Sequence, residues 1–142
     1  MSLPGQIDTY LFFDGKCEEA LAFYKTAISA KVDMMMRCKE APEPGQIKPG
    51  LEDKILHSSF TIGDSTIMAT DGYNQNKPNF NGISLALAAS NEGEAKRLFD
   101  ALADGGQVRM PLTKTFFSPA FGMLADKFGV PWMVVAEGQP AN

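Results

Sequence analysis

The stretch LHSSFTIGDSTIMATDG, residues 56–72, decides the fold prediction because it predicts a β-hairpin in the middle of the chain. Two runs rich in β-branched and aromatic residues, 54–62 and 65–71, flank the dipeptide Gly63-Asp64. A Gly-Asp pair between two strand-like runs suits a two-residue turn. The hairpin therefore gives a fixed point from which the rest of the chain can be interpreted.

The register of this hairpin sorts its side chains onto two faces. Pairing Ile62 with Ser65 across the turn fixes every later pair. Because side chains alternate across a sheet, one face is predicted to carry mostly polar residues: His57, Ser59, Thr61, Thr66, Met68 and Thr70. The other face is predicted to carry the apolar residues that a covering helix needs: Leu56, Phe60, Ile62, Ile67 and Ala69. The polar face is expected to lie towards water or a wet cavity.

The segments on either side of the hairpin follow one plan in each half of the chain. The first half is predicted as strand 7–13, helix 17–29, strand 31–37 and the hairpin. After a polar linker at 72–79, the second half is predicted as strand 82–88, helix 91–104 with Ser90 as its N-cap, strand 106–110 and two strands around 126–129. This order predicts an α+β fold: two βαβββ modules in tandem, about 6–72 and 80–137, that make one domain over 1–142. Two such modules can place the uncovered faces of their curved mixed sheets around a cleft.

Length and composition exclude several classes of protein. The chain has 142 residues, which fits one domain on a rough guide of about 100–200 residues. Apolar residues make up 44% and charged residues 21%, as in ordinary globular proteins. A net charge of −4 argues against a nucleic-acid partner. No apolar stretch approaches the ~20 residues of a membrane span, and no secretory signal is visible, so a cytoplasmic protein with reduced Cys17 and Cys38 is expected.

Only a few side chains are candidates for chemistry. His57 is the single histidine, which excludes a site needing two imidazoles from one chain. It is interpreted as a general base or ligand anchor, or else as a structural histidine bonded to Thr70 or a backbone carbonyl. The methionines are interpreted as packing or pocket lining. Phe116, Phe117 and Phe121 are pocket candidates, with core packing as the alternative, and Trp132 is expected beneath the second helix. Asp71 and Asp126 are interpreted as turn residues.

Three strings, in order along the chain, carry a resemblance to a known family. They are YLFFDGKCEEALAFY (10–24), the hairpin string (56–72) and FGMLADKFGVPWMVV (121–135). Together they resemble the PhnB-like branch of the glyoxalase/bleomycin-resistance/extradiol dioxygenase (vicinal oxygen chelate) superfamily, a branch that bears a 3-demethylubiquinone methyltransferase-like label. The resemblance runs from about Ile7 to Val135. The sequence has neither GxGxxG nor GxxxxGK[ST], so a dinucleotide or P-loop site has no support.

The resemblance also implies where a metal would be bound. Metal-dependent members take four ligands, from the first and last strands of each half, and these positions fall here on Thr9, Met68, Ser84 and Met133. Two hydroxyls and two thioethers do not supply the carboxylate or imidazole donors that a hard or borderline divalent ion prefers. No cofactor is therefore predicted, although a divalent metal held in another way is not excluded.

The resulting expectation is a small-molecule-binding protein, homodimeric by analogy with its relatives. A small, partly apolar organic molecule is expected near Met68, Met133, the 116–121 segment and His57, under a loop at 42–50. The full set of expected ligand-binding residues is Thr9, Ser59, Met68, Thr70, Ser84, Phe116, Phe121 and Met133, with His57 as the candidate catalytic residue. One alternative is a metal-dependent glyoxalase/dioxygenase-type enzyme using His57. Another is a structural or interaction dimer with no ligand, so enzymatic activity is left open.

Overall fold

Two copies of one arrangement of strands and helix make up the described part of the chain. The computed structural model describes residues 5, 7–41, 49–72 and 78–138. It separates into two units, Met1–Pro78 and Asn79–Asn142. The first unit contains β1 (Thr9–Phe12), α1 (Cys17–Ile28), β2 (Lys31–Arg37), a 3₁₀ turn (Cys38–Glu40), β3 (Ile55–Ile62) and β4 (Ser65–Thr70). The second contains β5 (Leu85–Ala89), α2 (Glu92–Ala103), β6 (Gln107–Thr113), β7 (Phe121–Ala125) and β8 (Pro131–Ala136).

The two sheets have the same strand order. The first is β1-β4-β3-β2 and the second is β5-β8-β7-β6. In each, the first strand of the unit runs parallel to the last one, and the other pairs are antiparallel. The predicted α+β fold with two βαβββ modules is confirmed. Most of the predicted covering loop (42–48) and of the linker (73–77) lies outside the described residues.

The repeat extends to an irregularity in one strand of each sheet. The register of β2 shifts between Val32 and Met34, and that of β6 shifts between Val108 and Met110. An extra residue in one strand bends it and increases its twist. Since both units carry this bulge at the same place, positions around it can be compared between the sheets, although a second register shift, after Met36 in β2 and after Met110 in β6, differs between them.

Helix α1 covers one face of the first sheet. Its apolar residues recur at helical spacing, and Leu21, Tyr24 and Ile28 are among those buried. The Tyr24 ring stacks on Phe60 of β3, with centroids 5.6 Å apart. Leu11 of β1 is buried on this side, whereas its neighbours in the strand are exposed. The face turned away from the helix is called the first open face below, and the corresponding face of the second sheet is the second open face.

Helix α2 covers the second sheet in the same manner. It buries Ala95, Leu98, Phe99 and Leu102. Trp132 of β8 is 2% exposed and α2 contacts β8, so the expected position of this ring beneath the helix is confirmed. Its indole nitrogen donates a hydrogen bond of 2.9 Å to Asp126 Oδ2.

The predicted hairpin register is correct, but the separation of polar and apolar side chains is less complete than expected. Ile62 pairs with Ser65, and Ser59 pairs with Met68. The covered face also holds Ser58, which is fully buried and whose hydroxyl donates to the Ala69 carbonyl oxygen at 2.8 Å. Polar groups can be buried at small cost when they are hydrogen-bonded, and this backbone acceptor is not visible in the sequence pattern.

Three boundaries in the second unit differ from the sequence prediction, of which the first is the end of β6, at Thr113 and not at 110. Asn91, not Ser90, is the N-cap of α2, because its side chain accepts a hydrogen bond from the Glu94 backbone N–H at 2.8 Å. The Glu94 carboxylate in turn accepts from the Ser90 backbone N–H, an exchange that resembles a capping box displaced by one residue. Strand β5 begins at Leu85, so Ser84 precedes it.

Candidate functional site

The first open face combines aromatic, thioether and polar side chains. Alternation along the strands and the observed register assign it these residues: Tyr10, Phe12, Met34, Met36, His57, Ser59 and Met68. Tyr10, Phe12 and Met34 are 40%, 54% and 38% exposed. This amount of exposed apolar surface on one face of a regular sheet is a candidate for ligand or partner contact.

A hydrogen bond between Tyr10 and His57 lies in this face. The Tyr10 hydroxyl oxygen is 2.8 Å from His57 Nδ1, and the two ring centroids are 5.6 Å apart. The Tyr10 ring also contacts Phe12, at 5.4 Å between centroids. In the described part of the chain, neither His57 Nε2 nor the Ser59 hydroxyl has a hydrogen-bond partner. Two polar groups are thus available to a ligand beside an apolar surface.

Tyr10 was absent from the sequence-derived set, which named Thr9 instead. In the parallel pairing of β1 with β4, Tyr10 is opposite Met68 and Thr9 is opposite Ile67. Residues paired in this way share a face, so Thr9 lies on the helix-covered side. Its expected placement beside Met68 is wrong by one residue, and a shift of one residue exchanges the faces of a strand.

Thr70 also departs from the expectation. It is 4% exposed, and its hydroxyl donates to the Leu56 carbonyl oxygen at 2.7 Å and accepts from the Gly72 backbone N–H. His57 Nδ1 is instead paired with Tyr10, so the predicted hydrogen bond between His57 and Thr70 is not formed. Ser59 and Met68 do lie together with His57, as the hairpin register predicts.

The second open face is formed mainly by thioethers. Met133 of β8 pairs with Met123 of β7, and Met123 pairs with Met110 of β6. On the other side, Met133 pairs with Ala86 of β5. The three methionines thus form a row across adjacent strands. Ser84 is exposed and lies two residues before Ala86.

The predicted aromatic segment forms a short chain of rings. Phe116 is 93% exposed, Phe117 is 49% exposed and Phe121 is only 9% exposed. Their rings meet edge to face, with centroids 5.2 and 5.1 Å apart. The Thr115 hydroxyl accepts from the Phe117 and Ser118 backbone N–H groups, so the turn that presents Phe116 is hydrogen-bonded. Phe121 pairs with Val135 and lies on the second open face, whereas the exposed Phe116 lies in the segment between β6 and β7.

The two buried aspartates serve the backbone. Asp71 accepts from the Cys17 and Ile55 backbone N–H groups at 2.8 and 2.7 Å. Asp126 accepts from the Phe128 and Val130 backbone N–H groups as well as from the indole of Trp132. Asp126 therefore acts within a turn, as predicted, whereas Asp71 joins the start of α1 to β3 and its interpretation as a turn residue is wrong.

Neither cysteine has the environment of a reactive thiol. Both are free, and Cys17 is buried. Burial raises the pKa of the Cys17 thiol to about 12, against a smaller opposing effect of its contact with Ser58. Burial also raises the pKa of Cys38. Because the thiolate is the nucleophile, these positions do not support thiol catalysis.

The structure contains two concavities whose lining residues are not the ones predicted for the site. One, of about 780 Å³, lies between α2 and β6 and includes Phe99, Val108 and Lys114. The other, of about 390 Å³, includes Cys38, Lys54 and Asp71. The Lys54 ammonium donates to the Gly15 carbonyl oxygen at 3.2 Å. Neither concavity brings together the predicted residues.

The metal site implied by the superfamily does not fit the donor set of this chain. Thr9 and Met68 point to opposite faces of their sheet, and Ser84 and Met133 contribute a hydroxyl and a thioether. Within the described residues, no group of three or more His, Cys, Asp or Glu lies close enough to hold a metal ion. Neither α-helix among them is long and apolar enough to span a membrane.

Comparison with known proteins agrees with this fold over almost the whole chain. Protein YjdN of Escherichia coli (strain K12) is 34% identical over 145 residues, which cover 96% of this chain and 99% of YjdN. The crystal structure of protein PA1353 from Pseudomonas aeruginosa is 39% identical, with a TM-score of 0.84 and coverage of 96% and 98%. The PhnB protein from Bacillus cereus is 33% identical, with a TM-score of 0.77 and coverage of 93% and 99%.

A family model matches nearly the whole chain, and a more distant structure shares its fold. The fosfomycin resistance protein FosX from Mesorhizobium loti shares the fold at 11% identity, with a TM-score of 0.63 and coverage of 96% and 94%. The family model described as 3-demethylubiquinone-9 3-methyltransferase matches residues 5–135. The chain therefore belongs to the family that this model describes, and it resembles the PhnB protein over almost its whole length.

Proposed function

We propose that this protein binds a small, partly apolar organic molecule on the first open face, without the metal used elsewhere in its superfamily. The observation that carries the proposal is the Tyr10–His57 hydrogen bond of 2.8 Å within an exposed surface of aromatic and thioether side chains. Small-molecule sites are mostly apolar and contain a few placed polar groups. His57 and Ser59 would supply those groups, and Tyr10, Phe12 and Met68 the apolar contact.

The side chains at the expected ligand positions support binding without a metal. Divalent ions such as zinc and manganese are held by imidazole, carboxylate or thiolate groups. Met68 and Met133 supply thioethers instead, which are apolar and adapt to irregular shapes. The same substitutions that weaken a metal site therefore favour contact with an apolar ligand.

The second open face would offer a separate apolar surface to a ligand. Met133 and Phe121 lie on it, and Ser84 lies beside it. The proposal also includes a cytoplasmic homodimer that does not bind nucleic acid. It is supported by the free cysteines, by the exposed Phe116 and Phe117, and by the net charge of −4.

Methionine ε-methyl NMR tests the proposal, because six of the methionines lie on the two open faces. Met34, Met36 and Met68 report on the first, and Met110, Met123 and Met133 on the second. Toluene, acetophenone and benzoate serve as probes. Saturable shifts at the first group are expected, while Met35, which pairs with the covered Ser58, should not respond.

Two neighbouring residues provide a matched pair of variants. Met34 and Met35 are 38% and 37% exposed but point to opposite faces of β2. Met34→Lys should weaken acetophenone binding by at least about tenfold, because it places a charge in the apolar surface, whereas Met35→Lys should not. Equal effects would contradict the proposal. Stoichiometric divalent metal in the purified protein, lost in His57→Ala, would replace it with a metal-dependent enzyme.

A further inference from the structure

The polar groups of the first open face are not equivalent, since one imidazole nitrogen is occupied and the other is available. Nδ1 of His57 is bonded to the Tyr10 hydroxyl at 2.8 Å, while Nε2 has no partner in the described part of the chain. The hydroxyl of Ser59, two residues along the same face, is also available. The chemistry of the ligand therefore depends on which imidazole nitrogen carries the proton.

The direction of the Tyr10–His57 bond follows from the chemistry of the two groups. A neutral imidazole has one donor and one acceptor nitrogen. A phenolic oxygen is a good donor and a weak acceptor because its lone pair is delocalised into the ring, whereas an unprotonated imidazole nitrogen is a strong acceptor. The favoured arrangement has Tyr10 donating to Nδ1, which leaves the proton of His57 on Nε2.

We infer that Tyr10 is a positioning residue that holds His57 as an Nε2–H donor, and that the ligand of this face carries a carbonyl or carboxylate oxygen on an apolar body. The inference rests on the proposed function and adds a ligand class to it. Nε2–H and the Ser59 hydroxyl would donate to the ligand oxygen. Met68 and the Phe12 ring would contact its apolar part.

Nitrogen-15 NMR of the imidazole tests the role of Tyr10 directly. His57 is the only histidine in the chain, so its two ring nitrogens are assigned without ambiguity. At about pH 8, where free imidazole is neutral, the wild-type protein should show the Nε2–H tautomer. Tyr10→Phe keeps the ring but removes the donor, and should populate both tautomers. Ser59→Ala should leave the tautomer unchanged.

Four probes of similar size test the ligand class. Benzoate and acetophenone carry acceptor oxygens, benzylammonium carries only donors, and toluene carries neither. Titration followed at the Met68 methyl group should give benzoate and acetophenone about three- to tenfold tighter binding than the other two, which is the range of one net hydrogen bond. Tyr10→Phe should reduce this preference by about twofold, since the ligand must then select one of two comparably populated tautomers, while toluene binding is retained.

The outcomes separate this inference from the proposal on which it rests. Equal binding of all four probes at Met68 would overturn the inference and leave the proposed function standing. An Nδ1–H tautomer in the wild type, or a tautomer insensitive to Tyr10→Phe, would also overturn the inference. If no probe shifts the methyl groups of the first open face, both fail. If Tyr10→Phe changes both the tautomer of His57 and the preference among the probes, the inference is supported.

Discussion

The two open faces occupy corresponding positions in the two units, yet they differ in chemistry. Tyr10 and Ala86 occupy the same position in the two sheets, because they pair with Met68 and Met133 respectively. It also matches Ser59 with Met123 and, two residues earlier, His57 with Phe121. Each potential donor of the first face is replaced in the second by an apolar or thioether side chain.

This comparison shows which features of the repeat have been kept and which have changed. The bulge in β2 recurs in β6, with Val32 and Val108 at the same place. The helix-covered faces are mainly apolar in both units, with the hydrogen-bonded Ser58 as a buried exception in the first. The two units differ mainly in the side chains that face away from the helix, where packing against the helix does not restrict the residue type. The centre of the first open face thus carries hydrogen-bonding groups, whereas the centre of the second is apolar and its polar residues, Gln107 and Thr113, lie at the two ends of β6.

The largest effect is expected at the buried aspartates, which support the two sheets in different ways. Asp126→Ala removes the acceptor of three N–H donors that lie within six residues of it, and Asp71→Ala removes that of two donors that are distant in sequence. Each buried donor left unpaired costs about 1–3 kcal/mol. Urea unfolding should therefore show a loss of at least about 3 kcal/mol for Asp126→Ala and a smaller loss for Asp71→Ala.

The control for this pair is the exposed turn residue Asp64, since Asp64→Ala should change the free energy of unfolding by less than about 0.5 kcal/mol. If Asp71→Ala proves as destabilising as Asp126→Ala, the number of donors is not what distinguishes the two units.

The next effect concerns Gly122, which corresponds to Ser58 in the first unit. A Cβ atom at Gly122 would lie 2.7 Å from Phe99 Cε2 and 3.0 Å from the Met110 carbonyl oxygen. Gly122→Ala should therefore lower the free energy of unfolding by about 1–3 kcal/mol through overpacking, as measured by thermal or urea denaturation.

Two further variants sharpen this test. Gly93, near the start of α2, has more room for a Cβ atom, with its nearest neighbour at 3.4 Å, so Gly93→Ala should not destabilise the protein. Adding Phe99→Leu to Gly122→Ala should have less effect than the two single changes added together, because the smaller side chain makes room. Strict additivity would show that Phe99 is not the source of the overlap.

The smallest effect is expected at the helix N-termini. The Asn91 side chain caps α2, whereas Lys16, the residue before α1, makes no side-chain capping bond. Asn91→Ala should lower the free energy of unfolding by about 1 kcal/mol, and Lys16→Ala should have little effect. A comparable loss at Lys16 would mean that the two helices begin in more similar ways than their hydrogen bonds indicate.

Local patterns in the sequence were sufficient to predict the hairpin and the helices. The turn at Gly63-Asp64 fixes the pairing of neighbouring strands, so the shared face of His57, Ser59 and Met68 follows from local information. Strand β2 was predicted with its observed bounds, and α1 within one residue, since the helix ends at Ile28 and the prediction extended it to Ser29.

The contribution of Tyr10 could not be predicted in this way. Its partner strand is far along the chain and parallel, so no turn fixes the register, and a shift of one residue exchanges faces. The alternation in TYLFF does indicate that Tyr10 and Phe12 share a face, but not which face. Thr70 and Ser58 were misjudged for a related reason, since backbone carbonyl acceptors that permit burial of a hydroxyl leave no mark in the sequence.

The hydrogen bond from the Cys17 backbone N–H to Asp71 has a consequence for the order of assembly during synthesis. The first helix receives this acceptor from a residue 54 positions later, so its N-terminus cannot be completed until nearly the whole first unit has left the ribosome. The second helix carries its acceptor on the adjacent Asn91 and can begin as soon as it emerges. The nascent first unit therefore gains its final helix contact late, and the second unit gains its own early.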